Sequence, residues 1–223
     1  MVDQPGRDSV RDTYDRIATH FSQTREYSWP EVEAFLEGIG TARVGLDVGC
    51  GNGRHSELLA AYADRVLSLD VSSGLLEEAR TRVDDAGVGD AVDLLQGDAS
   101  TLPLCAESVD VAVYVATLHH LPERRLRIAS LDELARVLSA DGRALVSTWS
   151  TAHDRFDADE GFDTTVEWTL PGGECVPRYY HIYDPEEFRA DLAASALEPL
   201  DVYVSSGNCY AEVTAAEKGN IHK

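Results

Sequence analysis

The sequence predicts a doubly wound α/β fold, in which helices cover both faces of a mostly parallel sheet. Short apolar segments alternate along the chain with segments whose apolar residues recur at helical spacing. The segment 109–115 is apolar almost throughout, which is typical of a strand buried on both faces. A turn with the alternating glycines Gly49, Gly51 and Gly53 follows the first apolar segment. Glycine at such a turn lets a ligand rest against the backbone, so the turn predicts a binding site at the sheet's carboxyl edge.

Composition limits the broad class of protein. At 223 residues and 43% hydrophobic content, the chain fits a single domain with a substantial core. Four scattered cysteines, Cys50, Cys105, Cys175 and Cys209, form no CxxC pair, so we expect neither a metal site nor a disulfide framework within the chain. No apolar run reaches the length of a membrane span, and the N-terminus lacks the apolar segment of a signal peptide. We therefore expect a cytoplasmic protein.

The charge balance is strongly acidic. The formal net charge is −21, and Lys218 and Lys223 are the only lysines. Such a balance normally argues against a nucleic-acid partner, because phosphate binding needs a basic face. Dispersed acid with scarce lysine is also typical of adaptation to a salt-rich cytoplasm, where screening shortens the reach of every charge. We therefore predict a halophilic source, and the charge leaves an RNA substrate open.

The elements follow in order. Apolar residues at 10, 14, 17 and 21 predict an N-terminal helix that begins near Ser9, and Trp29-Pro30 opens a second helix. Strands are then predicted at 44–48, 65–70, 91–96, 108–117 and 143–149, with helices at 54–63, 73–84 and 122–139 between them.

The pattern changes after residue 150. Residues 151–177 are acidic and rich in glycine, with Pro171-Gly172-Gly173 as a strong turn signal, and predict an inserted loop over the sheet's carboxyl edge. Asp184-Pro185 begins another helix. Segments near 199–205 and 209–214 predict a closing antiparallel hairpin.

Acidic residues stand at successive strand ends. Asp70 ends the second strand, 21 residues after Gly49, where a carboxylate can accept both hydroxyls of a ribose. Asp98 ends the third strand, where an acid suits the exocyclic amine of an adenine, and Asp47 at the entrance of the turn suits a cationic ligand. Each acid alone is equally well explained as a helix cap or a turn residue. Together they indicate a nucleoside ligand that carries positive charge.

The spacing of the glycines fits a dinucleotide less well. The dinucleotide fingerprint is G-x-G-x-x-G, whereas this turn reads G-x-G-x-G and has Arg54 where the third glycine would stand. S-adenosylmethionine offers a sulfonium, an amino group, a ribose and an adenine. We therefore favour S-adenosylmethionine as the cofactor.

With these residues the chain resembles the class I S-adenosylmethionine-dependent methyltransferases, over about residues 44–149. The resemblance implies a Rossmann-like sheet of seven strands, mostly parallel, with helices on both faces, an N-terminal helical extension and a closing antiparallel hairpin. It also implies the cofactor-binding residues, which are Asp47, Gly49, Cys50 and Gly51 near the methionine part, Asp70 and Val71 at the ribose, and Asp98 and Ala99 at the adenine.

A narrower resemblance extends from Tyr14 to about Val213. Residues 20–25 (HFSQTR) with Trp29-Pro30, residues 117–121 (TLHHL), residues 178–181 (RYYH) and Gly207-Asn208 are similar to the tRNA wobble-uridine carboxymethyl methyltransferases. Cys209 departs from that family, which commonly has an aromatic residue there. The resemblance implies methylation of the carboxylate of 5-carboxymethyluridine at the anticodon wobble position. The single expected domain then divides into 1–43, the cofactor core 44–150, the loop 151–177 and a substrate-side portion 178–223.

A carboxylate acceptor agrees with the chemistry of the residues. A carboxylate is ionised at neutral pH and needs no general base, but it needs a counter-charge and in-line placement. Arg25 and Arg178 are rare cations beside these motifs, and arginine can hold a carboxylate with two parallel hydrogen bonds. We predict that both hold the acceptor, with His119 lining the pocket. The alternative is that Arg25 pairs with nearby surface acids and Arg178 supports the inserted loop.

Two neighbouring pairs of side chains carry further expectations. His119 and His120 are adjacent, so an extended chain would send them to opposite sides and at most one would face the cofactor. Tyr179 or Tyr180 could stack on a base of single-stranded RNA, with core packing as the alternative.

The resemblance also implies a partner, a small zinc-binding activator subunit. Residues 91–96 would form an edge strand, which must be paired or covered, and strand addition by the partner would pair it. The alternative is an edge covered by the chain's own loops. For function, the alternatives are a methyltransferase for a small-molecule acid, amine or hydroxyl, and a non-catalytic module that binds the cofactor.

Overall fold

The computed structural model describes residues 7–216, and residues 1–6 and 217–223, parts of the predicted terminal portions, lie outside it. The helices are α1 Arg7–Ser22, α2 Pro30–Ile39, α3 Arg54–Leu59, α4 Ser73–Asp85, α5 Arg124–Val137 and α6 Pro185–Ala193. The strands are β1 Ala42–Val48, β2 Ala63–Asp70, β3 Val92–Gln96, β4 Val109–Val115, β5 Leu138–Trp149, β6 Phe162–Thr169, β7 Cys175–Ile182, β8 Leu197–Ser205 and β9 Asn208–Ala215. Over the described range, no helix is long and apolar enough to cross a membrane.

A sheet of seven strands forms the centre, in the order β3-β2-β1-β4-β5-β9-β8. The pairs from β3 through β5 are parallel, and β9 joins β5 and β8 in antiparallel pairs. This confirms the predicted mostly parallel sheet and its closing hairpin. Strand β1 lies between β2 and β4, so the strand order runs outward from β1 in one direction through β2 and β3 and in the other through β4 and β5. At such a switch point the carboxyl ends of the strands form the crevice in which these sheets bind ligands.

Alternation along β4 explains how both faces of the sheet are covered. Ala112 and Tyr114 pack in the cluster that contains the apolar residues of α5 and α6. Val111 and Val113 pack in the cluster that contains those of α2, α3 and α4. Successive residues of a strand point to opposite faces, so β4 is apolar throughout because both of its faces are buried.

Local signals fix where helices begin. The side chain of Ser72 caps α4 by accepting a hydrogen bond from the backbone N–H of Leu75 at 3.1 Å. Asp184 caps α6 in the same way, accepting from the N–H of Glu186 and of Glu187 at 2.9 Å each. The cap of α4 lies directly beyond Asp70, and therefore fixes the start of that helix beside the predicted site.

A buried ion pair joins α6 to α5. The carboxylate of Asp191 is fully buried and accepts from Arg124 Nε at 2.6 Å and from the hydroxyl of Tyr183 at 3.0 Å. Arg127, also buried, lies with its Nε 3.8 Å from the same carboxylate. Charges in a low-dielectric interior are tolerated only when they are compensated, so these groups depend on one another.

The segment 151–177, predicted as an inserted loop, contains a strand and the beginning of another, so that prediction was wrong. Strands β6 and β7 pair antiparallel as a separate hairpin, in register from Phe162 opposite Ile182 to Thr169 opposite Cys175. The glycine pair of the Pro171-Gly172-Gly173 turn has positive φ, as a tight connection between strands requires. The turn was identified from the sequence, but the strands on either side were not.

The two edges of the central sheet differ. The edge strand β8 contains Pro199 and a break in its register between Pro199 and Asp201. Prolines and bulges are devices that block pairing with another chain. The edge strand β3 pairs with β2 in unbroken register from Val92 to Gln96 and has neither device.

Candidate active site

The glycine turn after β1 is fixed by left-handed backbone and by bonds to β2. Gly49, Gly51 and Gly53 have φ of 71°, 55° and 77°, a region that only glycine adopts readily. A Cβ on Gly49 would lie 2.2 Å from Oγ1 of Thr117, so glycine is required there for space as well. The N–H of Gly51 donates to Asp70 Oδ2 at 2.9 Å. The turn is therefore held open at the carboxyl ends of β1 and β2.

The turn opens onto a cavity of about 400 Å³, here called the main cavity. Its walls contain most of the predicted site residues, namely Arg25, Gly49, Cys50, Gly51, Asp70, Val71, Asp98, Ala99 and His119. Asp47 and Arg178 are not part of these walls. The structure thus brings together predicted site residues that are up to 94 residues apart in the sequence, from Arg25 to His119.

The two acids in the wall are held by backbone and side-chain donors. Asp70 accepts from the N–H of Ser72 at 2.9 Å through Oδ1, besides the bond from the turn, and burial raises the pKa of this carboxyl. Oδ1 of Asp98 accepts from the N–H and the hydroxyl of Ser100, at 2.7 Å each. A carboxylate oxygen has two lone pairs, so such fixed carboxylates can still accept from ligand hydroxyls or amines.

Asp47 lies beneath the turn, 1% exposed. Its Oδ2 accepts from the hydroxyl of Ser56 at 2.7 Å. Burial is the main cause that raises the pKa of Asp47, to about 7. Asp47 is therefore close to the turn but does not line the main cavity, and its carboxyl changes charge near neutral pH.

The two adjacent histidines both line the main cavity, contrary to the prediction that at most one would. The prediction was wrong because residues 118–120 form a turn of 3₁₀ helix instead of an extended chain, and the two rings lie 4.4 Å apart. The N–H of Trp149 donates to Nδ1 of His119 at 3.1 Å, which assigns the ring proton to Nε2.

His120 has the opposite tautomer. Its Nδ1 lies 2.9 Å from the carbonyl oxygen of Tyr179 and therefore donates, so its Nε2 accepts from the hydroxyl of Tyr14 at 2.9 Å. Burial lowers the pKa of His120 to about 3 and the pKa of His119 well below its ordinary value. Both imidazoles are therefore neutral near pH 7. Their lowered pKa makes them weak bases, and the lone pair of each already accepts a hydrogen bond, so neither suits the role of a general base for a weak nucleophile.

Two arginines meet at the ring of Trp168 in β6. The guanidinium carbon of Arg178 lies 4.8 Å from the ring centre and that of Arg25 lies 5.7 Å from it. Arg178 is only 4% exposed, and its Nη1 donates to the hydroxyl of Tyr180 at 2.7 Å. The side chain of Arg25 donates to Thr24, and neither arginine forms an ion pair with a carboxylate of residues 9–216. Trp168 was missed from the sequence because it lies in the segment interpreted as a loop.

The two tyrosines proposed to stack on a base do not offer a free ring. Tyr180 is sandwiched between Trp149 and His119, with ring centres 4.7 Å and 4.9 Å away and nearly parallel planes. Tyr179 is buried, and its hydroxyl donates to Asp163 at 2.7 Å. The stacking prediction was therefore wrong, and core packing explains both residues.

The segment that carries Arg25, residues 23–29, has no regular structure, contributes Thr24, Arg25 and Trp29 to the wall of the main cavity, and is here called the strap. Side chains outside the strap donate hydrogen bonds to its backbone carbonyls. Asn52 of the glycine turn and Arg82 of α4 donate to the carbonyl of Arg25 at 3.0 Å and 3.1 Å. Arg82 also donates to the carbonyl of Glu26. Sequence reasoning missed both holding residues because their partners lie far away along the chain.

Two further contacts, of Arg82 with Glu57 and of Arg54 with the strap, support this arrangement. Nε of Arg82 donates to Glu57 Oε2 at 2.6 Å, which orients its guanidinium. Arg54 donates to the carbonyl of Tyr27 at 3.3 Å. The course of the strap is thus fixed by three successive carbonyls.

Comparison with known proteins identifies the family of the chain. A profile described as a methyltransferase domain matches residues 46–146. The tRNA (carboxymethyluridine(34)-5-O)-methyltransferase of Saccharomyces cerevisiae is 34% identical over 174 residues, which are 76% of this chain and 59% of that protein. Its counterpart in Schizosaccharomyces pombe is 30% identical over 170 residues, 72% of this chain and 68% of that protein. The chain thus spans about three-fifths of the length of the first relative.

Solved structures share the fold. The DhpI complex with SAH has a TM-score of 0.73 at 19% identity and covers 95% of this chain and 97% of its own. A putative methyltransferase in complex with the Haloferax volcanii Trm112 methyltransferase activator has a TM-score of 0.69 at 16% identity, covering 93% of this chain and 97% of its own. At these identities the likeness concerns the fold alone.

Proposed function

The chain belongs to the class I S-adenosylmethionine-dependent methyltransferases, among the relatives of the tRNA (carboxymethyluridine(34)-5-O)-methyltransferases, and from this we propose that it methylates the carboxylate of a 5-carboxymethyluridine-type wobble nucleoside in tRNA. S-adenosylmethionine is its cofactor and supplies a methyl group on a positively charged sulfur. The acceptor, the in-line transfer and the cytoplasmic setting are our proposals.

The residues of the main cavity fit this cofactor. Gly49 keeps a space that a Cβ would fill, and the buried charge of Asp47 suits the cationic methionine part near Cys50 and Gly51. Asp70, beside Val71, suits the ribose hydroxyls. Asp98 and Ala99 suit the adenine edge. These assignments rest on the chemistry of the donors and acceptors and on their places in the wall.

The observation that carries the acceptor proposal is the arginine pair at Trp168. A buried guanidinium without a carboxylate is destabilising, so Arg178 favours a bound anion beside it. Arg25 adds a second positive charge against the same ring. A carboxylate held in this way is ionised already, which suits a cavity whose histidines are neutral and engaged. We propose that Arg25 and Arg178 hold the acceptor and that His119 presents its Nε2–H to it.

The test is methyl transfer in high salt, which suits a chain of net charge −21 and our proposal of a salt-rich cytoplasm. The protein is incubated with labelled S-adenosylmethionine and tRNA that carries 5-carboxymethyluridine. We expect label in an alkali-labile ester on the tRNA. Label in small molecules alone would favour the small-molecule alternative, and saturable cofactor binding without any transfer would favour the non-catalytic one.

Variants test the arginines. Arg25→Ala and Arg178→Ala should lose methyl transfer while S-adenosylhomocysteine binding, measured by calorimetry, survives. Arg143→Ala, which removes an exposed arginine of β5, is the matched control. Loss of cofactor binding in Arg25→Ala would reassign that arginine to the cofactor's own carboxylate.

We further propose that a small zinc-binding activator subunit pairs with the edge strand at residues 91–96. The support is the contrast between the edges, because β8 carries a proline and a register break whereas β3 carries neither. A protein of the same fold forms a complex with the Haloferax volcanii Trm112 methyltransferase activator. Hydrogen exchange should show new protection of amides 92–96 on adding the activator, with 197–205 as an internal control. A chain that is monodisperse and fully active alone would contradict the proposal.

A further inference from the structure

A second cavity, of about 120 Å³, lies between α1 and the β6–β7 hairpin and is here called the side cavity. It shares two wall residues, Val10 and Tyr14, with the main cavity. A molecule in the side cavity therefore has one end at the boundary of the cofactor site. The volume is that of about four waters, so it suits one small ring and not a whole nucleotide.

The wall combines flat apolar surface with hydroxyl groups. Val10, Tyr14 and Pro177 provide apolar surface, and Thr13 and Thr165 provide hydroxyls. The chain has 40 Asp and Glu residues, yet within residues 9–216 this cavity has no acidic wall residue. A hydroxyl both donates and accepts, so such a wall can satisfy a ring whose edge alternates carbonyl and N–H groups.

Arg178 gives an independent indication that the side cavity takes a ligand. It belongs to the wall of the side cavity, it is 4% exposed, and its buried Nε has no hydrogen-bond partner among the described residues. An unsatisfied buried donor is costly, and more so when it is charged, so a bound acceptor group at this nitrogen would be stabilising. The other end of the guanidinium bonds Tyr180, which lines the main cavity.

We propose that the side cavity holds the pyrimidine ring of the acceptor, with the carboxylate of that acceptor against Arg178 at the junction of the two cavities. This rests on the proposed function and adds the location of the base. The hydroxyls of Thr13 and Thr165 contact the polar edge of the ring, and Pro177 and Tyr14 contact its faces. Tyr14 keeps a fixed place at the junction because its hydroxyl donates to His120 Nε2 at 2.9 Å.

The test uses the nucleoside 5-carboxymethyluridine and the protein saturated with S-adenosylhomocysteine. Calorimetry measures nucleoside binding to the unaltered chain and to Thr13→Val and Thr165→Val, which keep shape and remove a hydroxyl. We expect at least tenfold weaker binding in each variant with cofactor affinity unchanged. Thr169→Val is the matched control, because Thr169 is an exposed threonine of the same strand outside the side cavity.

A blocking variant covers the case in which single hydroxyls contribute little. Thr165→Phe fills the side cavity from an exposed strand position and should abolish nucleoside binding. Unchanged nucleoside binding in this variant, or no nucleoside binding by the unaltered chain, would overturn the proposal. Its failure is distinct from failure of the proposed function, which is decided by transfer to tRNA. If tRNA is methylated with an unchanged KM in Thr165→Phe, only the location of the base is wrong.

Discussion

Replacing Asp47 by asparagine should remove a pH dependence of cofactor binding that the unaltered protein shows. Asp47 is 1% exposed and has one side-chain hydrogen bond, from Ser56, whereas Asp70 accepts from two backbone amides. Burial raises the pKa of Asp47 to about 7, so the carboxyl is largely neutral below that pH in the empty site. A cationic ligand favours its ionised form, so binding must displace the proton.

The magnitude follows from that pKa. If binding needs the ionised carboxylate, the apparent Kd is multiplied by about 11 at pH 6 and by about 1.1 at pH 8, a change of about tenfold or ~1.4 kcal/mol. Calorimetric titration with S-adenosylhomocysteine or S-adenosylmethionine between pH 6 and 8 measures it. Asp47→Asn retains an oxygen for Ser56, so any slope that it keeps belongs to other groups. A flat profile in the unaltered protein, or an equal slope in the variant, would refute the reasoning.

The same carboxyl affects stability in the empty protein. Because its folded pKa lies above that of an unfolded aspartate, its contribution to stability is full below about pH 4 and is lost as the pH rises through about 7. Asp47→Asn should therefore raise the free energy of unfolding at pH 8, relative to the unaltered chain, more than at pH 4. Urea denaturation at the two pH values measures this difference.

Three further substitutions test the framework of the site. Gly49→Ala should abolish cofactor binding, whereas Gly87→Ala, with a similar φ of 73° and nothing near its Cβ, should lower stability in thermal unfolding by only about 1–2 kcal/mol. Arg82→Ala should raise the KM for the acceptor with cofactor Kd unchanged, and Arg80→Ala on the same helix should change neither; equal effects of the two would contradict a role in positioning the strap. Asp191→Ala removes one of the two carboxylates that face the buried guanidinium of Arg127 and should cost about 3–5 kcal/mol in urea unfolding, while a loss below 1 kcal/mol would show that Glu187, with its Oε1 3.4 Å from Nη2 of Arg127, compensates the charge alone.

Local patterns were sufficient to predict the central sheet and to select residues that meet in the wall of the main cavity. The buried strands are apolar because both faces are covered, and that pattern is visible in one sequence. Asp70 and Asp98 were identified because strand ends of a parallel sheet meet at one edge. Both acids line the main cavity, and Asp47 lies directly beneath it.

What sequence reasoning missed depends on contacts between distant segments. The strap is held by Asn52 and Arg82, which are 27 and 57 residues from the Arg25 carbonyl that they bind. Surface arginines and turn asparagines are common, and nothing local distinguishes these two. The prediction for His119 and His120 was wrong for a local reason. Adjacent side chains lie on opposite sides of an extended chain, but they lie close together in a 3₁₀ turn.

The anchoring of the strap has a consequence for how this enzyme can change over evolution. The strap is anchored by hydrogen bonds to its backbone carbonyl oxygens, donated by Asn52, Arg54 and Arg82. Every amino acid possesses such an oxygen. Tyr27, whose carbonyl is among them, leaves 75% of its side chain in solvent. Residues 26 and 27 can therefore be exchanged without moving the guanidinium of the neighbouring arginine. The side chains of the strap beside Arg25 can therefore change while the guanidinium that we propose to hold the acceptor carboxylate keeps its place.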